Sequence, residues 1–194
     1  MKIITLDEDS RRNLLNDLLK RSPNHYGTYM DRVNEIIENV RIKGDAAIFD
    51  YTRCFDGADL NARNICVTKE EIEEAYTLVD PELVSVIRKA LVNIREYHEK
   101  QRRYSWFDSK PDGIMLGQKV TPLAAAGVYV PGGKAVYPSS VLMNVIPAKV
   151  AGVEKIVMVT PPGRDGKVNP NTLVAANEAG VDEIYKAVSY THLR

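Results

Sequence analysis

The residues best suited to chemistry form one short stretch, Tyr129-Val130-Pro131-Gly132-Gly133. A phenol offers a flat apolar ring and a hydroxyl. Two glycines next to it can take positive φ and let a ligand or another backbone approach closely. The other chemically capable residues are scattered. His25 sits in a polar loop, His98 on a long helical pattern and His192 close to the end of the chain, without zinc-site spacing. Cys54 and Cys66 lack CxxC spacing. Two cysteines are too few for a disulfide framework, so free thiols in a reducing cytosol are expected.

The elements around Tyr129 give the stretch its meaning. Gly127-Val128-Tyr129-Val130 is short and β-prone, as a buried parallel strand should be. Pro131 cannot donate to a ladder, so pairing should stop there. Pro138 holds the chain extended before Ser139 and Ser140, either of which can cap the helix that follows. Val141, Leu142, Val145, Ile146 and Val150 make that helix mostly apolar, Pro147 should kink it, and Gly152 ends it. Ile156-Val157-Met158-Val159 is the next strand, closed by Thr160-Pro161-Pro162. Strand, loop, helix, strand is a βαβ unit, and ligands of open α/β sheets sit outside the carboxyl ends of their strands. Neither GxGxxG nor GxxxxGK[ST] is present, and a Pro-Gly-Gly turn between a strand and a helix is more often a plain connection.

Upstream, the pattern is helical. Leu14, Leu15, Leu18 and Leu19 form a narrow apolar stripe on a helix around Ser10 to Arg21, which needs a packing partner. A second amphipathic helix spans 28–43, with Gly44 as its C-terminal cap and Asp45 capping a short helix to Tyr51. Phe55-Asp56-Gly57 reads as a turn and Ile65 to Val67 as a short strand. Thr68 and Glu71 form a capping box for a helix ending at Leu78. Asp80 caps and Pro81 opens the longest helix, to about Tyr104, with Leu83, Ile87, Ala90, Leu91, Ile94 and Tyr97 as its buried face. Lys100, Arg102 and Arg103 read as a solvated basic end complementing the helix dipole, and Trp106 and Phe107 as packing residues. A strand pair runs from Ile114 to Val120-Pro122. After the βαβ unit, Asn169 or Asn171 caps a helix through Ala179, Gly180 ends it, and Val181 to Tyr185 leads to a further strand. The βαβαβ order implies parallel strands.

These motifs carry a resemblance. YVPGG with YPSSVLMN, IPAKVAGV and the TPP turn resembles the signature region of the histidinol dehydrogenase family. The segments Gly113 to Pro122, Asn169 to Lys186 and Gly44 to Gly57 are similar to that family as well, so recognisable stretches cover most of residues 30–186. The resemblance implies oxidation of L-histidinol to L-histidine, through an aldehyde-level intermediate, in two hydride transfers to NAD. It implies a zinc ion that positions the amino alcohol and a Glu–His pair for acid/base work. It also implies a homodimer. Tyr129 corresponds to an NAD contact, with Pro131, Gly132 and Gly133 shaping the loop around it. The residues for zinc and for acid/base catalysis are expected beyond the end of this chain. There the family continues from the last strand with a glycine pair and AQAIAAL. Here Val188-Ser189-Tyr190-Thr191-His192-Leu193-Arg194 follows instead, which reads as a tail foreign to the family.

The expected fold is therefore α/β: a mainly helical region over 1–111, an incomplete Rossmann-like parallel sheet over 112–186, and the tail over 187–194. The function expected by resemblance is an N-terminal part of a dehydrogenase, inactive alone. The competing reading is a non-catalytic α/β module that binds a nucleotide or a protein. The 194 residues are 44% hydrophobic and 27% charged, ordinary for a globular protein. Lys+Arg 26 balances Asp+Glu 26, so charge makes no case for nucleic acid or an anionic membrane. No membrane-length apolar run or signal peptide is seen, and the cytoplasm is expected.

Overall fold

A computed structural model of the chain describes residues 7–9, 11, 27–132 and 136–187. The leucine stripe at Leu14 to Leu19, His25, Gly133 and the tail from Val188 lie outside the described residues. The elements are α1 (Gly27–Lys43), α2 (Asp45–Phe55), α3 (Lys69–Leu78), α4 (Pro81–Glu99), β1 (Trp106–Ser109), β2 (Met115–Gln118), β3 (Ala125–Tyr129), α5 (Pro138–Ala151), β4 (Lys155–Thr160), α6 (Pro170–Ala179) and β5 (Glu183–Lys186).

The helix boundaries follow local capping chemistry. Thr68 accepts from the Glu71 amide while the Glu71 carboxylate accepts from the Thr68 amide, the reciprocal box that starts α3. Asp80 and Asn169 each accept from the amide two residues on, and a proline follows each at the first helical position. Gly152 and Gly180 end α5 and α6 in the left-handed conformation, φ 88° and 83°.

Several boundaries differ from the sequence reading. Asp45 is the first residue of α2 and makes no side-chain cap; Gly44 precedes it at φ 59°. That helix runs on through Phe55, where Tyr51 and Phe55 stack one turn apart at 5.8 Å. The long helix α4 stops at Glu99, so the basic run lies beyond it, and Arg102 stacks over Tyr104. Tyr97 is 62% exposed, and the buried face of α4 contains Val84 instead. Neither serine caps α5, which starts at Pro138 and runs through Pro147 to Ala151. Trp106 and Phe107 do not pack: β1 and β2 form an antiparallel hairpin with every residue exposed. Ile65–Val67 adds a single antiparallel bridge, Cys66 to Tyr185, rather than a full strand.

The main sheet is parallel, in order β3-β4-β5. Its two faces differ. Val130, Ile156, Met158, Thr160, Ile184 and Lys186 are all buried, with Ala126 and Val128 packed behind them. By strand alternation they share one face. There α5 and α6 supply Val141, Leu142, Val145, Ile146, Leu173 and Val174, and α3 and α4 close over them with Ala75, Val84 and Ile87. One core thus joins residues 75–87 to the sheet. On the opposite face Ala125, Gly127, Tyr129, Lys155, Val157, Val159, Glu183 and Tyr185 alternate with these, and none is fully buried.

Candidate functional site at the carboxyl edge of the sheet

The chain leaves β3 through Val130, whose amide still donates to the Val159 carbonyl at 2.9 Å. Pro131 then ends the ladder. Gly132 is not in a positive-φ conformation, contrary to the freedom expected of it. Its lack of a side chain serves close approach instead: a Cβ there would lie 2.8 Å from Cγ of Pro161 and 3.3 Å from the Pro161 carbonyl oxygen. The loops that follow β3 and β4 therefore touch, and only glycine lets them.

Behind this contact lies a cavity of about 460 Å³, within the range of small-molecule sites. Gly132, Val136 and the Thr160-Pro161-Pro162 turn form one side, and α3 and the first turn of α6 form the other. Two ion pairs brace the α3 wall. Lys167 Nζ donates to both Glu74 oxygens, at 2.7 and 2.8 Å, and this hydrogen bond raises the lysine's pKa. Lys186, 3% exposed at the end of β5, donates to Glu71 Oε1 at 2.5 Å. The other Glu71 oxygen holds the Thr68 amide, so one carboxylate both caps α3 and neutralises the buried lysine. The Asp165 carboxylate accepts from the Lys167 amide and keeps the intervening loop in shape.

The sequence-derived residues are only partly brought together. Gly132 lines the cavity, whereas Tyr129 and Pro131 do not. Tyr129 lies on the open face of the sheet, on the far side of the same carboxyl edge. Sequence reasoning read Glu71 only as a helix cap and missed its pairing with Lys186 and that of Lys167 with Glu74. A lysine two residues after Ile184, on the same strand face, was the available signal for the Lys186 pair. Among the described residues no group of three or more His, Cys, Asp or Glu side chains is placed to hold a metal ion. The His98 ring contacts Gln101 Oε1 at 2.8 Å, and Cys54 and Cys66 are free thiols.

The pattern of the histidinol dehydrogenase family matches residues 19–189. The chain belongs to the histidinol dehydrogenase family. It is 56% identical over 188 residues to a histidinol dehydrogenase of Bacillus subtilis (strain 168), covering 96% of this chain and 42% of that protein. It is 58% identical over 155 residues to one from Heliobacterium mobile, covering 80% of this chain and 36% of the relative. The crystal structure of histidinol dehydrogenase from Elizabethkingia anophelis superposes with a TM-score of 0.77 at 36% identity, over 82% of this chain and 36% of that one. The chain thus spans about two fifths of the length of these family members, and its matched region is their N-terminal part. The α/β architecture is that of the family's solved structure. No helix among the described residues is long and apolar enough to cross a membrane.

Proposed function

We propose that this chain supplies the first dinucleotide-facing part of a cytoplasmic histidinol dehydrogenase, which oxidises L-histidinol to L-histidine with NAD in histidine biosynthesis. The observation that carries the reading is the Gly132–Pro161 contact at the carboxyl edge of β3 and β4, in a chain of this family. It leaves a bare backbone ridge with a cavity on one side and Tyr129 on the other. A dinucleotide laid over that ridge meets a ring and a hydroxyl from Tyr129, the bare backbone of Gly132 and the rigid turn at Pro131, and Gly133, outside the described residues, is proposed as a further contact. NAD, when bound, supplies the hydride acceptor. The chain's own residues bind and orient it and, through the buried Lys186–Glu71 pair, hold the end of β5 to α3.

Among the described residues no group of side chains is placed to hold zinc, and no step through it is assigned to them. Its ligands and the acid/base pair are proposed to come from the remaining family sequence, and two completed copies to form a homodimer. In the 194-residue chain we expect calorimetry to detect NAD binding. We expect no histidinol-dependent NADH formation with zinc added. Turnover clearly above a no-enzyme control would overturn the division of labour, and absent NAD binding would overturn the assignment of the carboxyl edge.

A further inference from the structure

Thr160 is the last residue of β4 and Thr172 lies in the first turn of α6, and both line the cavity beside Gly132. They are 2% and 4% exposed. Among the described residues neither hydroxyl has a hydrogen-bond partner, and neither oxygen is sealed off, so both open into the cavity. Buried hydroxyls are nearly always bonded, and one left unpaired costs stability that a valine of the same shape would not.

The neighbouring polar groups are spent. Asn169 takes the Asn171 amide on its side chain and the Thr172 and Leu173 amides on its carbonyl, so the start of α6 offers no free N–H. The Gly163 amide donates to the Lys167 carbonyl, and the Lys167 ammonium to Glu74. Three carboxylates of the lining, Glu71, Glu74 and Asp165, face two ammonium groups, Lys167 and, behind Glu71, Lys186. An anion therefore meets excess negative charge and no donor but the two hydroxyls. A cation finds each carboxylate engaged, with Lys186, Lys167 Nζ or the Lys167 amide.

We infer that this cavity is a binding site for a small uncharged molecule with an apolar body and a carboxamide or hydroxyl head. Thr160 and Thr172 bond the head, as donors or acceptors. The body packs on Pro161 and Leu173, which line the same space of about 460 Å³. The inference stands apart from the dinucleotide reading, since no cofactor group enters it.

The test is titration of the 194-residue chain with benzamide, followed by protein-observed NMR and calorimetry. Benzamide should bind saturably and shift the methyl signals of Thr160 and Thr172, whereas benzoate, its anionic counterpart, should not. Thr160→Val and Thr172→Val should each weaken benzamide binding about two- to ten-fold, the worth of one hydrogen bond, without lowering the melting temperature. Val92→Ala, on the exposed side of α4, should bind like the parent. Absent saturation, equal binding of benzoate, or valine variants that bind like the parent would overturn the inference and leave the hydroxyls to water. If a valine variant fails to fold, unshifted threonine methyls in the benzamide-saturated parent decide against it. NAD bound without benzamide defeats this inference alone, and benzamide bound without NAD defeats only the dinucleotide reading.

Discussion

The two faces of the three-stranded sheet are made by alternate residues of the same strands, yet they differ in kind. The face under α5 and α6 is sealed and mostly apolar, with Ile156 and Met158 fully buried and Lys186 paired with Glu71 at its carboxyl end. The open face carries tyrosines, glycine and a Lys155–Glu183 pair, and nothing on it is fully buried. Parallel sheets are ordinarily covered on both faces. One set of residues thus secures the fold, while the other is left to meet something else.

The largest effect that should separate the faces is truncation on opposite faces of one strand. Ile156→Ala should cost about 3 kcal/mol, because a fully enclosed side chain leaves a cavity the helices cannot fill. Val159→Ala should cost less than about 1 kcal/mol. Urea denaturation of both variants measures this, and equal losses would mean that the open face is structural after all.

A smaller effect is expected on the helical side. Arg88 donates to both oxygens of Glu178, and the Tyr76 hydroxyl donates to Glu178 Oε1 at 2.7 Å, tying α3, α4 and α6 together. The hydrogen bond from Arg88 holds the Glu178 carboxyl below its ordinary value of 4.5. A carboxyl depressed in the folded state adds stability that is complete above about pH 4.5 and lost as pH falls through the folded value. Glu178→Gln should therefore cost about 1–2 kcal/mol at pH 7. The stability gap between the two proteins should narrow as pH falls below about 4.5, and a constant gap in denaturation curves down through the acid range would contradict the assignment.

The smallest effect tests the open face itself. Tyr129→Phe should weaken NAD binding by about 0.5–1.5 kcal/mol, one hydrogen bond. Tyr129→Ala should weaken it further through loss of the ring. A drop in melting temperature at constant NAD affinity would assign Tyr129 to packing.

Much of this was legible in the sequence because it is local. The capping box at Thr68 and Glu71, the Asp80-Pro81 start and the terminal glycines at 152 and 180 depend on neighbours within four residues, so their types suffice. The βαβαβ order followed from alternating apolar runs and turns, and the family from the YVPGG block. The misread elements are those decided by distant partners. Trp106 and Phe107 look like core residues by type, but every residue of the β1–β2 hairpin is exposed, and none of the described helices buries them. Gly132 reads as conformational freedom, whereas it is a matter of space against Pro161, twenty-nine positions on.

The sequence by itself therefore determined the elements, their parallel order and the loop after β3, since propensity, capping and proline or glycine geometry act over a few bonds. Only the tertiary structure decided which face of each strand is sealed, because both faces of β3 to β5 are rich enough in apolar residues to be buried. It also decided that Tyr129 and Gly132 lie on opposite sides of one edge, and that Lys186 finds Glu71 across the fold. A buried charge must find its counter-ion through space, and separation along the chain carries no record of that distance.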